Sequence, residues 1–182
     1  MDRDGVLNED RGFVHRREDF HLLPGVRESL RALSDAGWAL VVVTNQSGIG
    51  RGLYELADFH RLTEWMCRDF ARAGAPLSGV YFCPHHPDAH CRCRKPAPGL
   101  LLEAAYELGL SLADSWLVGD RLTDLEAGRL AGVPRRVLVH ACAASDQLHE
   151  GDQVAADLAA ATQKILETSP VHRPESRREC DV

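Results

Sequence analysis

Two groups of carboxylates stand far apart in the chain, and both have a pattern typical of metal-dependent active sites. Asp2 and Asp4 lie in the opening segment DRDG, and Asp120 and Asp124 lie in VGDRLTD. Carboxylates held close together repel one another, and a hard cation with oxygen ligands relieves that repulsion. If the two groups meet in the folded chain, we expect them to bind Mg²⁺.

Other polar groups supply what a phosphoryl-transfer site needs. Thr44 and Asn45 follow the apolar run WALVVV, and Lys95 lies in CRKPAPG. They offer hydroxyl and amide donors and a fixed positive charge, which suit the charge that spreads over phosphoryl oxygens. A carboxylate can attack phosphorus, and a second carboxylate two residues further on could protonate the leaving oxygen.

A third group has the composition of a zinc site. Three cysteines, Cys83, Cys91 and Cys93, crowd into the segment CPHHPDAHCRC together with three histidines. Three thiolates and one imidazole form a standard tetrahedral Zn²⁺ site without an open position, so we expect the zinc to be structural. The loop it closes runs directly into Arg94 and Lys95, which the metal would help to fix.

Strand-like and helix-like segments alternate around these motifs. The pattern predicts helices over about 24–37, 55–73, 98–108, 122–132 and 152–167, and strands over 38–45, 79–83, 115–120 and 135–140. The strands are almost wholly apolar, which favours a parallel sheet covered on both faces. In such folds the chemistry lies beyond the carboxyl ends of the strands, where the polar motifs fall.

The bulk composition is that of an ordinary globular protein. With 182 residues the chain suits one domain, over 1–167, and we expect the polar Pro- and Arg-rich tail, 168–182, to be disordered. The net charge of −6 argues against a general nucleic-acid binder. No apolar run is long enough to span a bilayer and no export signal precedes the first motif. We therefore expect a cytoplasmic monomer without membrane or nucleic-acid partners.

The four segments DRDG, VVVTNQSG, CRKPAPG and VGDRLTD, in this order, resemble the motifs of the haloacid dehalogenase superfamily of phosphatases. The resemblance implies a Rossmann-like α/β fold, a three-layer αβα parallel sheet without a large cap domain. It also implies that Asp2 is the nucleophile and Asp4 the general acid and base, and that Thr44 and Lys95 hold the phosphoryl group.

The same resemblance implies a ligand set for the metal. Asp120 would bind Mg²⁺ together with Asp2 and the backbone carbonyl of Asp4. Asp124 would orient Lys95 or contact the ligands of the metal without binding the metal itself.

The zinc loop narrows the resemblance to two groups within the superfamily. The D-glycero-D-manno-heptose 1,7-bisphosphate 7-phosphatases and the histidinol-phosphate phosphatases both carry C-x-H…C-x-C before RKP, which favours His85 over His86 and His90 as the fourth zinc ligand. TNQSGIGRG and GFVHRREDF resemble the heptose group, with Phe13 in place of a tyrosine, whereas GDRLTD also resembles the histidinol-phosphate group.

We favour the heptose bisphosphate over histidinol phosphate as the small phosphorylated substrate. A non-catalytic, zinc-stabilised binding module is the alternative from another class. The heptose match implies substrate contacts from three stretches of the chain: Asp10, Arg11, Gly12 and Phe13; Asn45, Gln46 and Ser47; and the cations Arg51, Arg94 and Arg121.

The start of the chain raises a separate question. In this superfamily an apolar strand precedes the first motif and lies in the centre of the sheet, whereas here Met1 alone precedes Asp2. The central strand is therefore expected to be truncated, with an apolar groove and unpaired backbone groups between its two neighbours. Either the start lies too late, which we favour, or the chain is a truncation of low stability and weak activity.

Overall fold

The computed structural model describes residues 1–140 and 147–168. The part of the predicted tail that follows Thr168 lies outside these residues, and so do two further cysteines of the chain, Cys142 and Cys180. The elements are α1 (Val26–Asp35), β1 (Val41–Asn45), α2 (Ser47–Gly50), α3 (Leu56–Arg72), β2 (Gly79–Cys83), α4 (Gly99–Leu108), β3 (Trp116–Gly119), α5 (Leu122–Ala131), β4 (Arg135–Val139), β5 (Asp152–Ala155) and α6 (Leu158–Thr168), with short 3-10 turns at Arg17–Asp19 and Pro87–Ala89. Among these described helices, none combines the length and apolar character needed to cross a membrane.

The strands pair in parallel, in two groups. β1 pairs with β2, and the other group has the order β3-β4-β5. Met1 and Asp2 lie between the groups: the Val43 N–H donates to the Met1 carbonyl at 2.9 Å, and the Asp2 N–H donates to the Val118 carbonyl at 2.9 Å. These two residues take the place of a central strand between β1 and β3.

Helices cover both faces of the sheet. Alternate strand residues point to opposite faces, so Val42 and Val118 join one apolar cluster, whereas Val43 and Leu117 join another. The first cluster includes side chains of α1, α3 and α6, and the second includes side chains of α4 and α5. The predicted three-layer αβα architecture is confirmed.

The last predicted helix begins later than expected. Residues 152–167 read as one helix because they are rich in alanine, which has the highest helix propensity. In the structure Asp152–Ala155 is β5, which pairs with β4, and its Asp152 Oδ1 accepts a hydrogen bond from Arg136 Nε at 2.6 Å. Asp157 then caps α6, since its Oδ1 accepts the Ala160 N–H at 2.8 Å. The prediction was wrong because pairing with β4 overrides the local propensity.

An apolar groove lies beneath Met1, between β1 and β3. Its cavity has a volume of about 100 Å³. The side chains around it are almost all apolar and include Trp38, Leu40, Val41, Leu101, Trp116, Leu117 and Ile165. Its position is the one predicted from the short first strand.

Candidate active site

The carboxyl ends of the strands open onto a cavity of about 530 Å³. Thirteen of the predicted site residues line it: Asp2, Asp4, Asp10, Gly12, Phe13, Thr44, Asn45, Gln46, Ser47, Arg51, Arg94, Lys95 and Arg121. Tyr54, Leu122, Thr123 and Asp124 also line it. Arg11 is not among the lining residues; its guanidinium Nε lies 2.7 Å from Glu9 Oε2, and both side chains are exposed to solvent.

Lys95 is the buried cation of this cavity. Its Nζ lies 3.0 Å from Asp2 Oδ1 and 2.6 Å from Asp124 Oδ1, and it donates to the Val43 carbonyl at 2.8 Å. Burial alone would lower the pKa of Lys95, but the two carboxylates raise it above the ordinary value. The ammonium therefore stays charged, and its three protons bind Asp2, Asp124 and the Val43 carbonyl.

Asp2, Asp120 and Asp124 form a carboxylate cluster. One oxygen of each lies within 4.8 Å of the others. Burial, followed by the charges of Asp2 and Asp124, raises the pKa of Asp120 to about 7. Asp120 Oδ1 is buried and has no hydrogen-bond partner within the described part of the chain. Crowded carboxylates with an unsatisfied oxygen suit a hard divalent cation, so this donor set fits Mg²⁺.

Two glycines make room for the carboxylates of the VGDRLTD segment. Gly5 has a φ of +82°, and a Cβ at that position would lie 2.2 Å from Asp120 Oδ2. At Gly119, a Cβ would lie 2.3 Å from the Cβ of Asp124. Real Cβ atoms do not come this close to other atoms, so a larger residue at either position would displace the neighbouring carboxylate.

Asp4 is held from several sides. Its Oδ2 accepts hydrogen bonds from Arg3 Nε at 3.1 Å and from Gln46 Nε2 at 3.0 Å. Its Oδ1 accepts from Arg3 Nη2 at 3.0 Å and from Asn8 Nδ2 at 2.9 Å. Arg3 is only 1% exposed, although it stands near the start of the chain. Sequence reasoning missed this role, yet an arginine between two acids was a signal for an ion pair.

Asn45 connects the end of β1 to the segment that carries Lys95. Its Nδ2 donates to the Lys95 carbonyl, and its Oδ1 accepts the Lys95 N–H, both at 3.1 Å. This reciprocal pair fixes the backbone of Lys95. The same segment contributes Arg94, whose Nη1 is buried without a hydrogen-bond partner among the described residues.

The mouth of the cavity is formed by the loop around Asp10. The Asp10 carboxylate accepts the Gly12 N–H at 3.0 Å and lies 2.6 Å from Arg121 Nη2, so it joins this loop to the start of α5. Phe13 follows with a φ of 55° and is 46% exposed. Arg51 is exposed on the same rim.

Four side chains of the predicted zinc loop converge. The sulfur of Cys91 lies 3.5 Å from that of Cys83 and 3.4 Å from that of Cys93. His85 Nδ1 lies 3.2 Å from Cys93 Sγ and 3.6 Å from Cys83 Sγ. Zn–S bonds of about 2.3 Å give tetrahedral edges of roughly 3.8 Å, so the cluster fits zinc closely.

The alternative histidines stand outside this cluster. His86 Nδ1 accepts the Asp88 N–H at 3.3 Å, and His90 is not among the clustered side chains. Burial raises the pKa of the Cys83 thiol to about 12. Burial also opposes ionisation of Cys91, but hydrogen bonds from Cys93 and the following backbone lower its pKa to about 6.

Comparisons with known proteins place the chain in a family. A family model described as HAD-hydrolase-like matches residues 92–161. The D-glycero-beta-D-manno-heptose-1,7-bisphosphate 7-phosphatases of Photorhabdus laumondii and Escherichia coli K12 are each 47% identical to the chain over 146 residues, which cover 76% of this chain and 78% and 76% of those proteins. The chain belongs to the haloacid dehalogenase superfamily.

A solved structure from this superfamily is also similar. The D,D-heptose 1,7-bisphosphate phosphatase of B. bronchiseptica, complexed with magnesium and phosphate, is 37% identical and superposes with a TM-score of 0.84. The match covers 92% of this chain and 97% of that one. The haloacid dehalogenase fold predicted from the four motifs therefore extends over nearly the whole chain.

Proposed function

We propose that the protein is a Mg²⁺-dependent phosphatase that removes the C7 phosphate of D-glycero-D-manno-heptose 1,7-bisphosphate. The observation that carries the proposal is the convergence of Asp2, Asp4, Thr44 and Lys95 on one cavity, in a chain 47% identical to proteins named for this reaction. A cavity of about 530 Å³ has room for a small phosphorylated sugar.

The cations of the mouth would bind the phosphate that the reaction leaves in place. A bisphosphate brings a second dianionic group, and arginine pairs with phosphate through parallel hydrogen bonds. The candidates are Arg51, Arg94 and Arg121, all on the wall of the cavity. Arg94 is the strongest of them because its buried Nη1 lacks a partner among the described residues.

Asp2 is the proposed nucleophile. The Lys95 ammonium and the Arg3 N–H, the latter at 2.7 Å, both contact Oδ1. No hydrogen bond of the described residues engages Oδ2, which is available to attack phosphorus. The new Oδ2–P bond forms as the bond between phosphorus and the C7 oxygen breaks, and Asp4 donates its proton to that oxygen.

Water completes the cycle. Asp4, now a carboxylate, takes a proton from water as the water oxygen attacks the phosphorus of the aspartyl-phosphate. The bond to Asp2 breaks, phosphate leaves, and both carboxyl groups return to their starting states. The Thr44 hydroxyl and the Lys95 charge hold the phosphoryl oxygens. Mg²⁺ bound by Asp2, Asp120 and the Asp4 carbonyl would neutralise charge on those oxygens.

We also propose that Zn²⁺ binds Cys83, His85, Cys91 and Cys93 and braces the loop that ends in Arg94 and Lys95. The loop already contacts the rim of the cavity, since the Gly50 N–H donates to the Pro84 carbonyl at 2.8 Å. A Cβ at Gly50 would lie 2.4 Å from the backbone nitrogen of His86, so the two segments pack closely. Zinc would hold the loop against this surface and keep Lys95 in place.

We further propose that residues 1–167 act as one domain and as a monomer in the cytoplasm. The cavity already contains the proposed nucleophile, general acid and cations, so no residue of a second copy is needed to complete it. The thiols of the proposed zinc site must stay reduced, as they do in the cytoplasm. Sedimentation at micromolar concentration would give the mass of one chain, and a dimer would contradict the proposal.

Phosphate release by the purified protein with Mg²⁺ tests the function. The substrates are both anomers of the heptose bisphosphate and histidinol phosphate; the curated relatives are named for the beta anomer. We expect the beta anomer to be hydrolysed with a kcat/KM at least about tenfold above that for histidinol phosphate, and EDTA to stop turnover. A preference for histidinol phosphate would overturn the substrate, and no release from any substrate would favour the non-catalytic zinc module.

A further inference from the structure

A buried hydrogen-bond network under the cavity has Gln46 at its centre. Gln46 is 3% exposed. Its Nε2 donates to Asp4 Oδ2 at 3.0 Å and to Thr44 Oγ1 at 2.9 Å. Its Oε1 accepts from the Tyr54 hydroxyl at 2.6 Å and from Arg3 Nη2 at 3.3 Å. Both ends of the amide are therefore engaged twice.

The chemistry of the partners allows one orientation of this amide. Tyr54 and Arg3 present donors, so the carbonyl oxygen must face them, and the NH₂ group must face Asp4. Burial raises the pKa of Tyr54 to about 12, so its hydroxyl keeps the proton that it donates. Turning the amide over would set its NH₂ group against two donors and its oxygen against a carboxylate.

This orientation has consequences for two groups of the proposed mechanism. Thr44 Oγ1 accepts the proton of Gln46 Nε2, which leaves its own hydroxyl proton free to be donated to a phosphoryl oxygen. The Asp4 carboxyl is held in one plane, because Gln46 and Arg3 both contact its Oδ2.

We propose that Gln46, aligned by Tyr54 and Arg3, is the positioning residue that directs the Asp4 carboxyl and the Thr44 hydroxyl for phosphoryl transfer. The proposal rests on the roles given to Asp4 and Thr44 under the proposed function. It departs from the contact with substrate that the sequence suggested for Gln46, because the four hydrogen bonds of the amide all go to protein groups.

The network also reaches the loop at the mouth of the cavity. Arg3 Nη2 donates to the Val14 carbonyl at 2.7 Å. The His15 ring stacks on Tyr54, with centroids 4.7 Å apart and an angle of 3° between the planes. Gly48 also packs against the Tyr54 ring, since a Cβ there would lie 2.1 Å from a ring atom. The network thus joins the loop proposed to contact the sugar to the proposed general acid.

Two substitutions test the alignment directly. Tyr54→Phe keeps the ring on its neighbours and removes one donor, and Gln46→Glu keeps the shape but replaces the NH₂ donor beside Asp4. Misplacing a reacting group by a fraction of an ångström is costly, so we expect kcat to fall roughly tenfold in Tyr54→Phe and roughly a hundredfold in Gln46→Glu, with KM within twofold. The matched control is Tyr81→Phe, which removes a hydroxyl that contacts Glu107 outside the cavity.

A substrate whose leaving group departs without a proton distinguishes misalignment of Asp4 from a loss of folded enzyme. With p-nitrophenyl phosphate, formation of the aspartyl-phosphate does not depend on acid catalysis, whereas its hydrolysis still needs Asp4 as base. In both variants we expect a burst of about one nitrophenolate per enzyme, larger than in the wild type, followed by slow turnover. A burst whose amplitude falls in proportion to the steady-state rate of turnover would reject the proposal.

The side-chain NH₂ signals of Gln46 in ¹⁵N NMR spectra give a readout that does not need turnover. We expect the Gln46 side-chain NH₂ protons to exchange slowly with solvent in the wild type and in Tyr81→Phe. In Tyr54→Phe they should exchange fast and show a changed chemical shift. Unchanged signals, or wild-type kcat in both variants, would overturn the proposal. A wild type that cleaves p-nitrophenyl phosphate but not the heptose bisphosphate would overturn the substrate alone, since the burst and the spectra still decide the role of Gln46.

Discussion

At the carboxyl ends of the strands, Lys95, Gln46 and Asp4 form a buried network of hydrogen bonds and ion pairs, whereas apolar side chains line a groove near the start of β1 and β3. Lys95 and Gln46 show the first arrangement, with three and four contacts. In the groove, the Met1 nitrogen donates to the Val41 carbonyl at 2.8 Å, and Met1, Val41 and Leu117 all line a cavity of about 100 Å³.

The difference between the cavity and the groove indicates that the proposed catalytic groups and the continuity of the sheet depend on different contacts. Side-chain hydrogen bonds and ion pairs hold Asp2 and Asp4 in the cavity. Continuity of the sheet bears instead on the free energy of unfolding, through backbone pairing and apolar burial. We expect substitutions of cavity-lining residues to alter catalytic rates, and changes in the groove to alter the free energy of unfolding.

The largest effect is expected from Asp2→Asn. The amide cannot attack phosphorus, so phosphate release should fall by roughly a thousandfold or more. The melting temperature should change little, because the substitution relieves repulsion from Asp120 and Asp124 but also removes one ion-pair partner of Lys95. Both quantities are measured on one preparation, and activity within tenfold of the wild type would remove Asp2 as the nucleophile.

Loss of the zinc site is expected to come next. Cys93→Ala should lose bound zinc, measured by elemental analysis, and should lower kcat/KM by roughly ten- to a hundredfold, because Lys95 follows two residues later. The melting temperature should fall as well. The matched control is Cys67→Ala, a half-buried thiol on α3 outside the cluster. Equal zinc content in the two variants would contradict the proposed site.

Filling the groove should change stability without changing the rates. A five-residue apolar segment fused ahead of Met1 is expected to pair with β1 and β3 and to raise the free energy of unfolding by about 2–4 kcal/mol. The melting temperature should rise by several degrees, with kcat unchanged. An extension of five polar residues is the control, and an equal gain from it would show that the groove does not accept a strand.

The smallest effect is expected at Gly5. In Gly5→Ala the new methyl group would press on Asp120, so the Mg²⁺ concentration for half-maximal activity should rise by roughly tenfold. Gly109→Ala is the control, because Gly109 also has a positive φ, +64°, but nothing within 4 Å of its Cβ position. A Gly5→Ala variant with the same Mg²⁺ requirement as Gly109→Ala would contradict the expected effect of the contact with Asp120 on metal binding.

Local pattern predicted much of the fold. The β-branched run at 41–44 and the amphipathic spacing of Leu30 and Leu33 gave element positions close to those observed. β5 was missed because Asp152–Ala155 has no strand signal of its own and is ordered by β4. Asp157 was the available signal, since an N-cap residue marks a later helix start.

Residue types and their order by themselves predicted which groups carry chemistry: carboxylates able to share a cation, a lysine, and three cysteines beside histidines. Only the tertiary structure decided which atoms meet, because contacts such as Gln46 with Tyr54 or Gly5 with Asp120 leave no periodic trace in the sequence. Their energies depend on distances of a few ångströms between segments that local propensity does not relate.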